Sequence, residues 1–170
     1  YLKNSFGFKA YLISFIFGSL SVLALPPFSF FPLLIICFSC LIWLLKGCRN
    51  YKESFLVGWF YGFGFFVFGL HWMAYPMLVD PAKNAWLIPL SIIFLPAFLA
   101  IFTGITSYLS LLLSRSEVQL VFVFPVIWVF LEWVRGNILT GFPWNLIGYS
   151  FTNILTISQI ASLVGIYGLS

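Results

Sequence analysis

Residues 84–114, NAWLIPLSIIFLPAFLAIFTGITSYLSLLLS, contain no charged side chain. About 20 apolar residues in a helix are enough to cross the hydrocarbon core of a membrane, and this run is longer than that. Three further long runs without charge have the same character: residues 10–45, 54–79 and 136–170. The sequence therefore predicts a protein that crosses a membrane several times.

The composition of the whole chain supports this prediction. Only 7% of its residues are charged, whereas soluble domains carry about a quarter. The runs are apolar at every position and lack the alternation of period two that is typical of membrane barrel strands. A helix satisfies its own backbone hydrogen bonds in lipid, which a lone strand does not. We therefore expect an all-α membrane protein, a polytopic helical bundle.

Prolines, glycines and charged residues divide the chain into about six predicted spans. Proline stops a helix because it lacks an amide donor and clashes with the preceding turn. On these signals we place the spans at residues 8–25, 32–45, 54–75, 84–114 and 118–135, with a truncated sixth from about Ile154. Pro89 and Pro96 in the fourth predict either an interfacial start followed by a kinked helix or one long tilted helix. Because the chain begins with Tyr1 and stops within an apolar run, we expect it to be a fragment.

The basic residues predict the orientation of these spans. With the N-terminus inside, Lys83 and Arg135 lie in outside loops and the six other cations in inside loops: Lys3, Lys9, Lys46, Arg49, Lys52 and Arg115. Such an excess marks the cytoplasmic side. The N-terminus is therefore expected in the cytoplasm, and these loop cations explain the net charge of +4 without a nucleic-acid partner.

The chain offers no complete catalytic or metal site by sequence. His71 is the only histidine, and no nucleophile is fixed beside a base as a triad requires. Cys37 and Cys40 lie in an apolar run and are interpreted as packing residues. The basic residues around Cys48 would favour its thiolate, although we interpret Cys48 as an unpaired structural residue.

Glu132 and Arg135 stand one helical turn apart at the end of the fifth predicted span, so they can pair. Two interpretations remain open. The two residues form an interfacial ion pair in which Arg135 also favours the helix C-terminus. Alternatively, they orient an anionic lipid headgroup, because ionisable residues at membrane depth are costly and usually functional.

The stretch TGFPWNLIGYS, residues 140–150, is more specialised than a simple connector. Trp144 and Tyr149 favour the membrane interface, whereas Gly141, Pro143 and Gly148 impose a particular backbone path. Irregular backbone at this depth is tolerated only where protein covers it or where it lines a cavity. The stretch therefore predicts a shaped, aromatic wall of a lipid-handling site.

This stretch also carries a resemblance to a known family. Residues 132–150, EWVRGNILTGFPWNLIGYS, resemble the pattern E-x-x-R-G-x-x-x-T-G-F-P-W-x-x-x-G-Y-S of the apolipoprotein N-acyltransferases. Three shorter stretches match the same family: ALPPF at 24–28, the glycine-rich segment 58–72, and GIYGLS at 165–170. The resemblance therefore extends along the whole chain.

The resemblance implies a function in the bacterial cytoplasmic membrane. Enzymes of this family move an acyl chain from a phospholipid to the N-terminal cysteine of diacylated lipoproteins, through a thioester on a catalytic cysteine. Their Glu-Lys-Cys triad lies on a nitrilase-like domain, which we expect after residue 170. Residues 1–170 would then be the N-terminal transmembrane domain, inactive alone and without a cofactor, and none of its cysteines matches the catalytic one.

Only Trp144 is carried over from the family as a functionally important residue. Pro143, Gly148, Tyr149, Glu132 and Arg135 are expected to line or shape a lipid entrance. A non-enzymatic membrane remnant or split subunit, which binds lipid or a partner, is the alternative. A small transporter subunit is disfavoured, because the halves show no repeat and the spans are almost free of charge.

Overall fold

The computed structural model describes the backbone from residue 5 to residue 170 and the side chains from residue 7. Lys3, one of the cations used to predict the orientation, lies outside the described residues. Within residues 5–170 the regular structure is helical and contains no strand. The predicted all-α class is therefore confirmed.

Eight α-helices and several tighter turns make up this part of the chain. The α-helices are α1 (Ser5–Ser21), α2 (Pro32–Lys46), α3 (Tyr51–Gly69), α4 (Pro81–Asn84), α5 (Leu95–Leu113), α6 (Glu117–Asn137), α7 (Leu155–Ser158) and α8 (Ala161–Leu169). The 3-10 segments are Val22–Ala24, His71–Leu78, Ala85–Leu87 and Ile147–Phe151, and a π-helical turn spans Leu90–Phe94.

Helix α3 lies at the centre of the bundle, between α1 and α5. A Cβ atom on Gly58 would collide with Ser107 of α5, and one on Gly62 would collide with Thr103. The close helix approach predicted from Gly58-x-x-x-Gly62 is therefore confirmed, since small residues let two backbones come together. Buried aromatic side chains, among them Tyr61, complete the core.

The number of membrane spans differs from the predicted six. Three described segments are long and apolar enough to cross a membrane: Gly7–Ala24, Pro81–Leu113 and Glu117–Asn137. Helix α3 and the segment His71–Leu78, bent by 40°, would together make a fourth. Helix α2 has only 15 residues, and after Asn137 the helices are short, so six spans are not confirmed. An apolar run shows that a segment avoids water, but not that it forms one straight helix.

The connections form two distinct ends of the bundle. Residues 25–31, 70–78 and 138–151 lie at what we call the loop end, and residues 138–151 are the aromatic loop. Residues 47–50 and 114–116 lie at the opposite end, where Lys46 Nζ and Glu117 Oε2 are 2.7 Å apart.

Cys48 lies at the opposite end, and its thiol is not in a disulfide. Burial, reinforced by the nearby Glu53 carboxylate, raises the pKa of the Cys48 thiol to about 12. Its Sγ donates to Leu44 O at 3.4 Å. Desolvation thus outweighs the charge of the basic neighbours, and the free thiol agrees with the interpretation of Cys48 as an unpaired structural residue.

Candidate functional site

The aromatic loop has an unusual backbone. Three of its non-glycine residues have positive φ angles, 58° at Leu139, 129° at Thr140 and 55° at Asn145, and Gly141 has 77°. Positive φ is uncommon for residues with a side chain and persists only where the surroundings enforce it. Phe142 N donates back to Arg135 O at 3.0 Å, so the loop folds against the end of α6.

Arg135 holds the loop from behind. Its Nη1 donates to Phe142 O at 3.3 Å and to Trp144 O at 2.9 Å. Its Cζ lies 5.0 Å from the centre of the Phe66 ring, and the residue is 3% exposed. Charged donors form strong hydrogen bonds, so the guanidinium fixes the backbone on both sides of Pro143.

Glu132 makes a second attachment one turn earlier. Its Oε1 accepts a hydrogen bond from Ile147 N at 3.1 Å and lies 4.0 Å from Arg135 Nη2. Glu132 is 5% exposed, so both members of the pair are buried within the protein. Arg135 also lines a cavity of about 140 Å³ between the loop and the start of α5. Contact of either residue with a lipid headgroup stays a prediction.

The front of the loop lines a cavity of about 750 Å³, which we call the loop-end cavity. Its walls come from the turn after α1, the end of α3 and the aromatic loop. The lining residues are Val22, Leu25, Pro26, Pro27, Phe28, Phe68, Gly69, His71, Trp72, Pro143, Trp144, Asn145 and Tyr149. Its volume lies within the range of about 300–1,000 Å³ that is usual for ligand pockets.

The described lining of this cavity includes no Lys, Arg, Asp or Glu side chain. The ring centres of Trp144 and Trp72 are 5.4 Å apart, and Trp144 is 54% exposed. His71 Nδ1 donates a hydrogen bond to Phe68 O at 2.7 Å. The Nδ2 atom of Asn145 is buried without a hydrogen-bond partner. The site is thus apolar and aromatic, with few polar groups.

The predicted site residues therefore divide into two groups. Pro143, Trp144 and Tyr149 line the loop-end cavity, whereas Glu132 and Arg135 lie behind the loop. Gly148 is also outside the cavity: its N donates to Ser170 Oγ at 2.9 Å, and a Cβ there would lie 2.5 Å from Ile166 O. These three hold the loop to α6 and α8.

Sequence reasoning did not assign the other walls of the cavity to a site. Most of these walls come from two stretches that match the family pattern. Leu25 to Phe28 belong to the stretch at 24–28, and Phe68 to Trp72 form the end of the stretch at 58–72. The match to the family pattern could have pointed to these stretches, but only the fold shows that they lie together around one cavity. Within the described residues, no three His, Cys, Asp or Glu side chains are grouped to hold a metal ion.

Comparisons with known proteins show which family the chain resembles. Residues 17–170 match the family model of the apolipoprotein N-acyltransferase N-terminal domain. The apolipoprotein N-acyltransferase of Rhodopseudomonas palustris is 41% identical over 171 residues, which cover 98% of this chain and 32% of that protein. The corresponding protein of Rhizobium rhizogenes is 40% identical over 173 residues, covering 96% of this chain and 32% of its own length.

A third relative, the apolipoprotein N-acyltransferase of Brucella melitensis, is 35% identical over 173 residues, with 96% of this chain and 32% of that protein covered. The chain thus spans about a third of the length of the curated relatives it matches. On the extent of these matches, the chain belongs to the apolipoprotein N-acyltransferase family and corresponds to its N-terminal domain.

Proposed function

We propose that residues 1–170 are the membrane domain of an enzyme that acylates lipoproteins. The acyl donor is a phospholipid, and the acceptor is the N-terminal cysteine of a diacylated lipoprotein. Membership of the family supports this reaction. The catalytic Glu-Lys-Cys triad belongs to a nitrilase-like domain outside residues 1–170, so the 170-residue chain is inactive alone.

The reaction has two balanced steps. The catalytic cysteine sulfur attacks the ester carbonyl of the phospholipid, forming a thioester, and the lysophospholipid leaves as an alcohol that takes up the thiol proton. The α-amine of the lipoprotein cysteine then attacks the thioester, forming an amide and returning the thiol. Such covalent catalysis replaces one difficult transfer with two easier ones.

The observation that carries the proposal is the loop-end cavity. Stretches from three separate parts of the chain, each within a segment that resembles the family, line this one space of about 750 Å³. Because its described lining carries no Lys, Arg, Asp or Glu side chain, the cavity suits an acyl chain and its ester better than a phosphate. We assign it to the acyl donor.

The residues that touch the cavity and those behind it have different roles in this proposal. Trp144, Pro143 and Tyr149 contact the acyl donor directly. Glu132, Arg135 and Gly148 keep the loop in the conformation that presents Trp144. An aromatic side chain at the boundary between lipid and water suits this task, since its ring is apolar and its edge polar.

We further propose that the loop end faces away from the cytoplasm of a bacterial cell. Lys46, Arg49, Lys52 and Arg115 lie at or near the opposite end, and an excess of basic residues marks the cytoplasmic side. A cysteine introduced at Ser116 should then resist an impermeant thiol reagent in intact cells. Labelling at Ser116 without cell lysis would reverse the orientation.

The test of the function uses Trp144→Ala in the native full-length polypeptide. We expect kcat/KM for acylation of a diacylated peptide to fall at least about tenfold, a loss of roughly 1.4 kcal/mol of transition-state stabilisation. Membrane insertion should be unchanged, because Trp144 lies outside the packed core. Trp133→Ala is the matched control: Trp133 is also about half exposed, on α6, and does not line the cavity.

Three results would contradict the proposal. Normal acylation by Trp144→Ala would leave the loop as an interfacial anchor only. Acyl transfer by the purified 170-residue chain would show that the catalytic groups lie within it. Equal losses in Trp144→Ala and Trp133→Ala would point to general destabilisation instead of the cavity.

A further inference from the structure

Besides the two cavities already described, a much smaller one lies behind the aromatic loop, between α3, α5 and α6. Its volume is about 10 Å³, and its polar lining comes from Thr103 and Thr106 of α5 and from Trp128, Glu132 and Arg135 of α6. A cavity of about 10–15 Å³ is the smallest that admits one water molecule. This space is therefore too small for any lipid group but large enough for one water.

Two side chains bring unpaired polar atoms to this cavity. Glu132 Oε2 and Trp128 Nε1 are both buried without a hydrogen-bond partner among the described residues. Each residue is only 5% exposed, and both line the cavity. Buried polar groups are nearly always hydrogen-bonded, so two unpaired atoms at one cavity indicate a missing partner.

The chemistry of the lining matches a water molecule. The indole N–H only donates, and the carboxylate oxygen accepts. A single molecule that both accepts and donates, such as water, can therefore hydrogen-bond to both atoms. The Thr103 and Thr106 hydroxyls donate to Ala100 O and Phe102 O, each at 2.9 Å. Their oxygen lone pairs therefore remain free for the second proton of that partner.

We propose that this cavity binds one ordered water molecule. The water accepts from Trp128 Nε1, donates to Glu132 Oε2, and donates its second proton to a threonine hydroxyl of α5. Three hydrogen bonds are typical of a buried water. The water completes the attachment of Glu132, whose other oxygen holds Ile147 of the aromatic loop, and thereby links α5 to the loop.

The direct test is a density map of the unmodified full-length protein at a resolution that shows ordered waters. We expect a single peak within about 2.7–3.2 Å of both Trp128 Nε1 and Glu132 Oε2. An empty cavity would overturn the proposal. So would a map in which the indole N–H contacts the carboxylate directly and closes the space.

A double-mutant cycle supplies a second test in solution. Trp128→Phe removes the donor, and Glu132→Gln changes the acceptor while keeping its shape. If both bind the same water, the double variant should lower the Tm by little more than the worse single variant. Additive Tm shifts would overturn the link between the two side chains. Trp133→Phe, on the exposed face of α6, is the control and should leave the Tm nearly unchanged.

Discussion

The two ends of the helical bundle use charge in opposite ways. At the opposite end, Lys46 and Glu117 are 2.7 Å apart, but their side chains are 33% and 74% exposed. At the loop end, Arg135 and Glu132 are 4.0 Å apart, and their side chains are 3% and 6% exposed. The pair with the longer contact is expected to contribute more to stability. The free energy lost on breaking a pair depends on its burial and on its hydrogen bonds to loop backbone more than on the distance between the charges.

The two ends also differ in how side chains hold the backbone. At the opposite end, Asn50 Oδ1 accepts from Glu53 N at 2.8 Å and Ser116 Oγ accepts from Gln119 N at 3.2 Å. These side chains simply cap α3 and α6. At the loop end, charged side chains reach past the helix end and hold a loop with positive φ angles. One end therefore terminates helices, whereas the other shapes a site.

The largest expected effect is that of removing the buried cation. Arg135→Ala takes away two hydrogen bonds to loop carbonyls and leaves Glu132 buried beside no positive charge. Breaking a buried pair in this way costs about 3–5 kcal/mol. We expect the free energy of unfolding in detergent to fall by that amount, with faster proteolysis of residues 138–146.

The matched variant at the opposite end is Lys46→Ala. An exposed ion pair contributes about 0.2–1 kcal/mol, so this change should lower stability by less than about 1 kcal/mol. Equal losses in Arg135→Ala and Lys46→Ala would remove the distinction between the two ends. A stable Arg135→Ala with an intact loop would show that the hydrogen bonds from Arg135 are dispensable.

Two turn glycines, one at each end of the bundle, should respond to alanine substitution with stability changes of opposite sign. Gly141 in the aromatic loop has a φ of 77°, and a Cβ there would lie 2.5 Å from Gly136 O. Gly47, at the end of α2, has a φ of −79° and a ψ of −11° and is exposed. Alanine is strained in the first position and comfortable in the second.

We therefore expect Gly141→Ala to destabilise the protein by about 1–3 kcal/mol and Gly47→Ala to stabilise it by about 0.4–1 kcal/mol. Thermal unfolding of the two variants beside the unmodified protein measures both shifts. If Gly141→Ala proved neutral, the left-handed conformation of the loop would not be required for folding.

Local sequence signals predicted the helices and their ends better than the number of spans. Pro32 opens α2 in its first turn, as expected from its missing donor. The bend after Gly69 was not predicted, because residues 54–75 are apolar on both sides of it. Hydropathy is a property of composition, whereas the bend lies where Gly69 and Trp72 pack against Asn145 and Trp144 of the aromatic loop.

The candidate site was predictable only in part for a similar reason. Trp144, Pro143 and Tyr149 stood out because an aromatic, glycine- and proline-containing loop is unusual beside a membrane span. Glu132 and Arg135 were visible as a pair, but spacing along a helix does not show which way the charged groups reach. Their hydrogen bonds to Ile147 N and Trp144 O depend on the folded loop.

A further small effect is expected from the loss of a helix cap at the opposite end. In Asn50→Ala the acceptor for Glu53 N is gone, and removing such a cap costs about 1 kcal/mol. Asn50→Asp keeps an acceptor and should restore stability. Because Asn50 only terminates α3, acyl transfer by the full-length protein should be unchanged in both variants, in contrast to Trp144→Ala. A loss of activity in Asn50→Ala at full membrane abundance would mean that the opposite end, too, influences the loop-end cavity.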